Sequence, residues 1–200
     1  DAMRHKVWDD REVRRKLEAM KEAVNRAGPL MQEVGEGQVT ATRQRIRKGV
    51  HPALSGLTRA YKGGDRPLQD TGLLLASIHY RADEDSVEVG TDRPQAPMLQ
   101  KGGVIRPRRA KKLAIPASAF TRKCERRYGK SARRVMDGLR ADGWNVFTTK
   151  KAIVARKGKR SELLYVRAKK AVIPARPFLF LSDEDKARIA KALKRFFGEA

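Results

Sequence analysis

The stretch WNVFTTKKAIVARKGKRSELLYVRAKKAVIP, residues 144–174, decides the fold of this chain of 200 residues. Its apolar and β-branched residues fall into two runs, and the segment Lys157-Gly158-Lys159-Arg160 separates them. Two such runs around a short segment that contains glycine are typical of a β-hairpin. The sequence therefore predicts a long hairpin with a basic tip in this part of the chain.

Further strands are predicted upstream of this hairpin. Residues 77–82 and 86–91 flank the acidic turn at residues 83–85, which is the pattern of a second, shorter hairpin. Residues 104–105 and 113–115 are short apolar runs on either side of a basic segment. We expect these two runs to pair with each other in a sheet.

A helix is predicted near the start of the chain, at residues 9–27. Val13, Leu17, Met20 and Val24 recur at spacings of three and four residues, which places them on one face of a helix. Asp9 and Glu12 have the spacing of a capping box, and Gly28-Pro29 stops or kinks the helix.

Three more helices are predicted: a weaker one that contains two glycines, each costing about 1 kcal/mol against Ala, one helix or a pair broken near Gly129, and a terminal one capped by Ser182. They cover residues 31–50, 118–139 and 183–197. Helices at both ends and in the middle, with hairpins between them, predict the α+β class. We expect a mostly antiparallel sheet with long β-hairpins, packed by N-terminal, middle and C-terminal helices.

The predicted fold is a single domain that spans residues 1–200. Four segments of different character follow one another within it. They are an N-terminal helical region at 1–66, a middle segment at 67–105, a basic helical insertion and hairpin at 106–171, and a C-terminal strand and helix at 172–200.

The charge of the chain is concentrated in one block. The formal net charge is +23, and residues 101–174 hold 23 of the 46 basic residues but only 4 of the 23 acidic ones. Charge that served solubility alone would be spread along the chain. The block therefore indicates a face or loop that meets a polyanion or an acidic protein, although a charge run is also typical of a solvated face.

The candidate basic patch has two parts, one on each side of the predicted middle helices. Its residues are Arg106, Arg108, Arg109, Lys111, Lys112, Lys157, Lys159 and Arg160. Phosphate contacts, with their strong salt dependence, would use such a patch directly. A docking face for an acidic protein surface explains the same charges equally well. Both interpretations stay open on the sequence alone.

No pattern in the sequence carries catalytic or metal-binding chemistry. His5, His51, His79 and Cys124 are scattered without the spacing of metal ligands. Neighbouring cations could make Cys124 reactive, but no histidine lies nearby in sequence, so an incidental thiol is preferred. We expect no catalytic residue, no cofactor, no bound metal and no small-molecule substrate.

The sequence also limits the compartment. A single cysteine cannot form an internal disulfide, which fits a reducing environment. The longest apolar runs are too short to cross a bilayer, and no secretory signal is predicted. We expect no membrane partner.

Four stretches carry a resemblance to a known family. They are PLQDTGLLLASI at residues 67–78, VEVGTD at 87–92, MLQKGG at 98–103, and VIPARPFLFLSDEDKARIAKAL at 172–193. In this order and spacing the chain resembles the phage virion morphogenesis family, which includes the tail completion proteins of long-tailed phages.

The resemblance implies a structural protein without enzymatic activity that acts in virion assembly. Such a protein acts at the head–tail junction or at the head-proximal end of the tail, and finishes the tail so that it joins a filled head. The implied partners are further copies of itself in a ring, with a hexamer expected, and the neighbouring neck, connector and tail-tube proteins. Contact with genomic DNA in the channel is a further expectation. The implied location is the virion, after assembly in the cytoplasm of the bacterial host.

The alternative function is a nucleic-acid-binding module that uses the basic block at residues 101–174. A nucleic-acid-binding module is a different class of protein from a structural ring subunit. One protein can still have both functions, because a neck ring surrounds the path of the genome.

The segment Ile173-Pro174-Ala175-Arg176-Pro177-Phe178 supplies the candidate structural residues. Neither proline can donate a backbone hydrogen bond, so the strand that precedes them must leave the sheet. Arg176 is predicted to be a structural or interface ion-pair partner. Arg176, Pro177, Phe178 and Phe180 form the candidate structural or interface set. The apolar residues at 178–181 should cover the core or a neighbouring subunit, beneath the terminal helix.

Overall fold

The computed structural model describes residues 10–198 and places helices and antiparallel sheets within them, which confirms the α+β class. The helices are α1 (Arg11–Val24), α2 (Gly28–Lys48), α3 (Gly56–Lys62), α4 (Leu73–Ala76), α5 (Ala96–Lys101), α6 (Ala119–Tyr128), α7 (Ala132–Ala141) and α8 (Asp183–Gly198). The strands are β1 (Ile78–Ala82), β2 (Val87–Thr91), β3 (Gly103–Ile105), β4 (Leu113–Pro116), β5 (Asn145–Thr148), β6 (Ala152–Lys157), β7 (Arg160–Ala168) and β8 (Ala171–Ile173).

The chain forms two compact units. The described parts of residues 1–44, 77–92 and 179–200 form unit 1, and residues 45–76 and 93–178 form unit 2. The sequence predicted one domain across residues 1–200, and these two units lie within it.

Unit 1 contains α1, most of α2, the β1–β2 hairpin and α8. The hairpin is antiparallel, as predicted, and pairs Ile78 with Thr91. The Arg43 guanidinium donates to the carbonyl of Ile78 at 2.8 Å, and Arg195 of α8 forms an ion pair with Glu33 of α2. These contacts connect the helices and the hairpin of this unit.

Helix α2 is continuous through both of its glycines, in agreement with the predicted second helix. The packing of unit 1 shows what surrounds these two positions. A Cβ at Gly35 would lie 2.3 Å from Cδ2 of the Tyr80 ring, and one at Gly37 would lie 3.2 Å from Nε of Arg188. Gly35 therefore lets the β1–β2 hairpin approach the helix closely.

Replacing Gly35 by Ala should lower the free energy of unfolding by about 1 kcal/mol, because the overpacking against Tyr80 outweighs the better helix propensity of Ala. Urea unfolding measures this difference. Gly37→Ala is the matched control in the same helix, since its Cβ would meet only the end of the flexible Arg188 side chain. We expect Gly37→Ala to leave the protein at least as stable; an equal loss from both variants would contradict the packing role of Gly35.

The start of α8 agrees with the sequence. At α8, the backbone N–H of Asp185 donates to Oγ of Ser182 at 3.2 Å, and the N–H of Ser182 donates to Oδ2 of Asp185 at 3.0 Å. This reciprocal pair satisfies two donors at the helix start. Asp9 of the predicted capping box lies outside the described residues, and the cap position of α1 is Asp10.

Unit 2 is built on a four-stranded antiparallel sheet in the order β4-β7-β6-β5, with α6 and α7 packed against it. The predicted long hairpin is confirmed as β6 and β7, with Lys157 opposite Arg160 at the tip. Val135, Leu139 and Leu164 are at most 2% exposed and lie in the shared core of helices and sheet. The predicted break near Gly129 separates α6 from α7.

Strands β3 and β4 do not pair with each other, which corrects the expectation for residues 104–105 and 113–115. Instead, β3 pairs with β8 and β4 pairs with β7. The run from β7 through β8 is long enough to pair with both upstream strands in line. Residues 106–112 therefore connect two collinear strands and do not form a hairpin turn.

Candidate functional site

Two of the stretches that carry the family resemblance meet in unit 2 and form a joint, here called the signature joint (residues 99–103 with residues 173–178). Strand pairing places Gly103 opposite Ile173. The N–H of Arg176 donates to the carbonyl of Leu99 at 2.8 Å, and the N–H of Phe178 donates to Oε1 of Gln100 at 2.9 Å. The joint thus fixes the path of the chain beyond the strand, where the prolines prevent further sheet pairing.

Gly102 is required for the close approach within the signature joint. Its φ is +71°, and a Cβ there would lie 2.6 Å from the backbone nitrogen of Ala175. A side chain would meet backbone, which cannot move aside as a flexible side chain can. The double glycine of MLQKGG therefore has a packing role.

Arg176 is a buried residue, and its side-chain partners within the described chain are backbone carbonyls instead of the carboxylate of the predicted ion pair. The residue is 6% exposed, and its guanidinium donates from Nε to the carbonyl of Pro52 at 2.7 Å and from Nη2 to that of Ala53 at 3.0 Å. Burial lowers the pKa of Arg176, yet an arginine remains protonated at physiological pH. The planar fork of donors holds the segment at residues 52–53 against the signature joint.

The other predicted structural residues have different environments. Phe178 is fully buried in unit 2, and its carbonyl accepts from Nη1 of Arg45 at 2.8 Å. Pro177 is exposed. Phe180 and Leu181 are 48% and 54% exposed in unit 1, so they do not cover the core, and the alternative, a neighbouring subunit, stays a prediction. Both line a groove with Ile189 of α8.

A cavity of about 620 Å³ lies beside Arg176 in unit 2, and its wall includes Leu54, Leu99 and Val172. Its ionisable side chains are engaged within the fold. Nζ of Lys62 donates to the carbonyl of Arg66 at 2.8 Å, and the Asp70 carboxylate accepts from Arg122. Burial lowers the pKa of Lys62. The residues described in this wall include no histidine or cysteine.

The candidate basic residues at 106–112 lie at one end of the four-stranded sheet. Leu113, which follows them, pairs with Ala168 at the end of β7, and Ile105, which precedes them, pairs with Ala171 at the start of β8. The loop at residues 106–112 and the turn at residues 169–170 therefore lie side by side.

The β5–β6 loop reaches the same end of the sheet. The N–H of Arg167 donates to the carbonyl of Lys151 at 2.8 Å, and Nη1 of Arg167 donates to that of Thr149 at 2.7 Å. Nζ of Lys112 donates to the carbonyl of Lys150 at 2.6 Å. Two cations are thus used to join the loops, and these contacts bring three basic segments together.

The result is a surface of ten cations, here called the cationic end. Its members are Arg106, Arg108, Arg109, Lys111, Lys112, Lys150, Lys151, Arg167, Lys169 and Lys170. All except Lys112 and Arg167 are exposed. Residues 93–124, 143–161 and 163–182, which include all three segments, contain no Asp or Glu. Carboxylates of the same segments therefore do not balance this charge, and a bound polyanion would do so.

The basic hairpin tip is separate from the cationic end. It lies at the other end of β7, eight residues or about 26 Å along the strand. Nε of Arg160 pairs with Oε1 of Glu162 at 2.8 Å, and the guanidinium lies 5.1 Å from the centroid of the Phe120 ring. Lys157 donates to the carbonyl of Asp142 at 2.7 Å. The eight predicted cations thus form two groups, with Lys159 exposed at the tip.

The sequence analysis missed five members of the cationic end: Lys150, Lys151, Arg167, Lys169 and Lys170. Their charge was visible, but their neighbours in space depend on the register of β4 with β7. The KK pairs at residues 150–151 and 169–170 were a local signal, but they lie inside the two predicted β-rich runs, where no turn was expected.

Cys124 is a core residue and not a reactive thiol. It is 6% exposed among Val135, Leu139 and Leu164, and burial raises the pKa of its thiol. A raised pKa keeps the thiol protonated and unreactive at neutral pH. This confirms the preferred interpretation of an incidental cysteine.

Glu125 of α6 forms a buried polar cluster in unit 2 with two tyrosines. Its carboxylate accepts from the hydroxyl of Tyr165 at 3.1 Å and from that of Tyr61. Burial raises the pKa of Tyr61 to about 12, and the hydrogen bond to Glu125 and the negative charge of Glu125 act in the same direction to a smaller extent. Burial and Glu125 raise the pKa of Tyr165 further. The cluster fastens α3 and β7 to α6.

This cluster predicts a loss of stability in alkaline solution. Between pH 10 and about 12 the phenol of Tyr61 ionises in the unfolded chain but not in the folded one. The unfolded state then binds fewer protons, so the free energy of unfolding falls as pH rises. Tyr61→Phe should make this fall less steep, measured by urea unfolding from pH 8 to pH 11.5. An unchanged slope would contradict the assignment.

Within residues 10–198 no group of three or more His, Cys, Asp or Glu residues could hold a metal ion. His5 lies outside this range. No helix among these residues is both long and apolar enough to cross a membrane.

Comparisons with known proteins agree with the features described above. A model of the phage virion morphogenesis family matches residues 8–198. The chain is also similar to the Mu-like prophage FluMu G protein 2 of Haemophilus influenzae, with 34% identity over 109 residues, or 54% of this chain and 75% of the relative. No solved structure matches the chain. The chain therefore belongs to the phage virion morphogenesis family, and its role is in the structure and assembly of the phage particle.

Proposed function

We propose that this protein is a ring-forming subunit of the head–tail junction, which finishes the tail and permits its joining to a filled head. The observation that carries the proposal is the family match across residues 8–198, which includes both halves of the signature joint. The joint holds backbone segments together through Arg176 and Gln100, and such a rigid body suits a ring subunit. The role needs no catalytic chemistry.

The proposed partners are further copies of the chain, with six expected in a ring, and the neck, connector and tail-tube proteins above and below. Charge selects among neighbouring rings, since complementary potentials steer the correct partner and repel wrong ones. The proposed location is the neck of the virion, after assembly in the host cytoplasm.

The test is the position of the protein in purified particles of the phage that encodes it. Electron microscopy with a gold-labelled affinity tag on the chain should show label at the head–tail junction, and a map of the neck should show a closed ring. Particles made without the protein should have separate heads and tails. A protein that stays monomeric and is absent from finished particles would refute the proposal.

The cationic end supports a second candidate function, contact with double-stranded DNA. Ten cations on three adjoining segments without local carboxylates match the phosphate backbone, which binds without regard to sequence. In a ring, such a surface could line the channel through which the genome passes. An acidic face of a neighbouring protein is the competing partner, and the DNA-binding experiment in the Discussion separates the two.

A further inference from the structure

Helix α1 presents an apolar stripe that the described chain leaves about half exposed. Val13, Leu17, Met20 and Val24 are 58%, 59%, 45% and 52% exposed, and no residue of the helix is buried. The four side chains form a row about 16 Å long on one face. A helix of 14 residues is only marginally stable alone in water, so this stripe requires an apolar surface to pack against.

The stripe has cations along both edges. At 100° per residue, Lys21 and Arg14 follow one edge of the row and Lys16 follows the other. All three are exposed, and their ion pairs with acids of α1 itself lie at the surface, where such pairs contribute little. They remain available to an acidic surface that meets the stripe.

Unit 1 also contains a groove of about 340 Å³ with a largely apolar lining. One wall is a row on α2, and the others come from β2, residues 179–181 and α8. The lining residues are Val34, Gln38, Thr42, Val87, Val89, Leu179, Phe180, Leu181 and Ile189. Val34 and Thr42 are eight residues apart on α2, or about 12 Å, which is a length that several turns of a helix can follow.

Two polar features of the groove point to an occupant. Gln38 is 6% exposed, and its Nε2 has no hydrogen-bond partner in the described part of the chain. A buried donor without a partner is costly, and an acceptor on an incoming segment would satisfy it. The exposed acids at residues 83–85 are separated from Val87 of the lining only by Ser86, so the groove lies beside charge opposite to that of the α1 edges.

We propose that the stripe of α1 from one copy of the protein occupies the groove of unit 1 in the next copy. A ring needs a heterologous contact, in which two different and complementary patches on each subunit pair head to tail. The stripe and the groove are two such patches, matched in apolar character and in charge. The inference rests on the proposed ring and names the contact that closes it.

Assembly of stripe variants tests the contact. Leu17→Gln with Met20→Gln makes the stripe polar without changing the charge, and should raise the protein concentration needed for assembly at least tenfold, measured by light scattering after size-exclusion chromatography. The control is Arg15→Gln with Glu18→Gln on the opposite face of α1, which also preserves net charge. Circular dichroism should show both variants folded, because all four residues are exposed. Equal assembly of the stripe variant and the wild type would overturn the proposal.

Disulfide trapping tests the pairing directly. One protein carries Leu17→Cys in the stripe, and a second, of different tag length, carries Leu181→Cys in the groove; the buried Cys124 does not compete. Oxidation of the mixture should give the mixed covalent dimer, and neither protein alone should give one. A dimer of the Leu17→Cys protein with itself, or an intrachain link when both cysteines share one chain, would overturn the head-to-tail contact.

The outcomes separate this inference from the proposed function. A ring in the virion neck without the mixed disulfide refutes the stripe-and-groove contact alone. A mixed disulfide in a protein absent from particles refutes the neck assignment and leaves the contact between copies standing.

Discussion

Replacing five exposed cations of the cationic end by Gln should weaken binding to double-stranded DNA by at least a hundredfold at low salt. The substituted residues are Arg108, Arg109, Lys111, Lys169 and Lys170. Each phosphate contact releases condensed counterions, so a plot of log affinity against log salt has a slope of about −0.9 per contact. Loss of five contacts should therefore reduce the magnitude of this slope by about 4.5. Fluorescence anisotropy with a labelled duplex at several salt concentrations measures both quantities.

The control removes the same charge from another surface of unit 2. Lys123, Arg126, Lys130, Arg133 and Arg134 are exposed on and between α6 and α7, and their replacement by Gln also lowers the net charge by five. The cationic end stays intact in this variant. We expect its salt slope to stay within about one of the wild type. Equal losses in both variants would mean that net charge alone attracts DNA, with no specific face.

A third outcome would favour an acidic face of a neighbouring protein, instead of DNA, as the partner of the cationic end. If the wild type binds DNA weakly and with a shallow slope, the cationic end does not serve the genome. Lys112 and Arg167 were left unchanged in the design, because their hydrogen bonds join the loops and their loss would confuse binding with folding. Pull-down with the neighbouring neck proteins would then show whether an acidic protein face depends on the same five residues.

Features of this fold that depend on neighbours in sequence could be predicted from sequence. The cap of α8 is an example, because Ser182 and Asp185 are three residues apart and satisfy each other's backbone donors. The β6–β7 hairpin is another, since its turn and both strands lie within one continuous stretch. In both cases the signal and the structure occupy the same few residues.

Features that depend on strand register could not be predicted in this way. The pairing of β4 with β7 brings residues 106–112 beside residues 169–170, although more than fifty positions separate them along the chain. The cationic end exists only through that pairing. The glycines of α2 illustrate the same limit, because the Tyr80 ring that explains Gly35 is far away in sequence.

Replacing Arg176 by Met should lower the free energy of unfolding by about 2 to 3 kcal/mol, because the carbonyls of Pro52 and Ala53 lose charged hydrogen-bond donors. Met keeps much of the apolar volume, so the change isolates the polar contacts. Urea unfolding followed by Trp144 fluorescence measures the loss, because this tryptophan packs against the core of the same unit. In the described chain, both hydrogen-bond partners of this buried guanidinium are backbone carbonyls.

Two further variants serve as controls: one removes an exposed arginine, and the other keeps the charge at position 176 but changes its geometry. Arg106→Met removes an exposed arginine of unit 2 and should change stability by no more than about 0.5 kcal/mol. Arg176→Lys keeps the charge but replaces the planar fork by a single ammonium, so it should recover only part of the loss. If Arg176→Lys were as stable as the wild type, charge and not the two-carbonyl geometry would hold this segment. If Arg176→Met matched Arg106→Met, the signature joint would be stable without its arginine, and the structural role derived for that residue would be wrong.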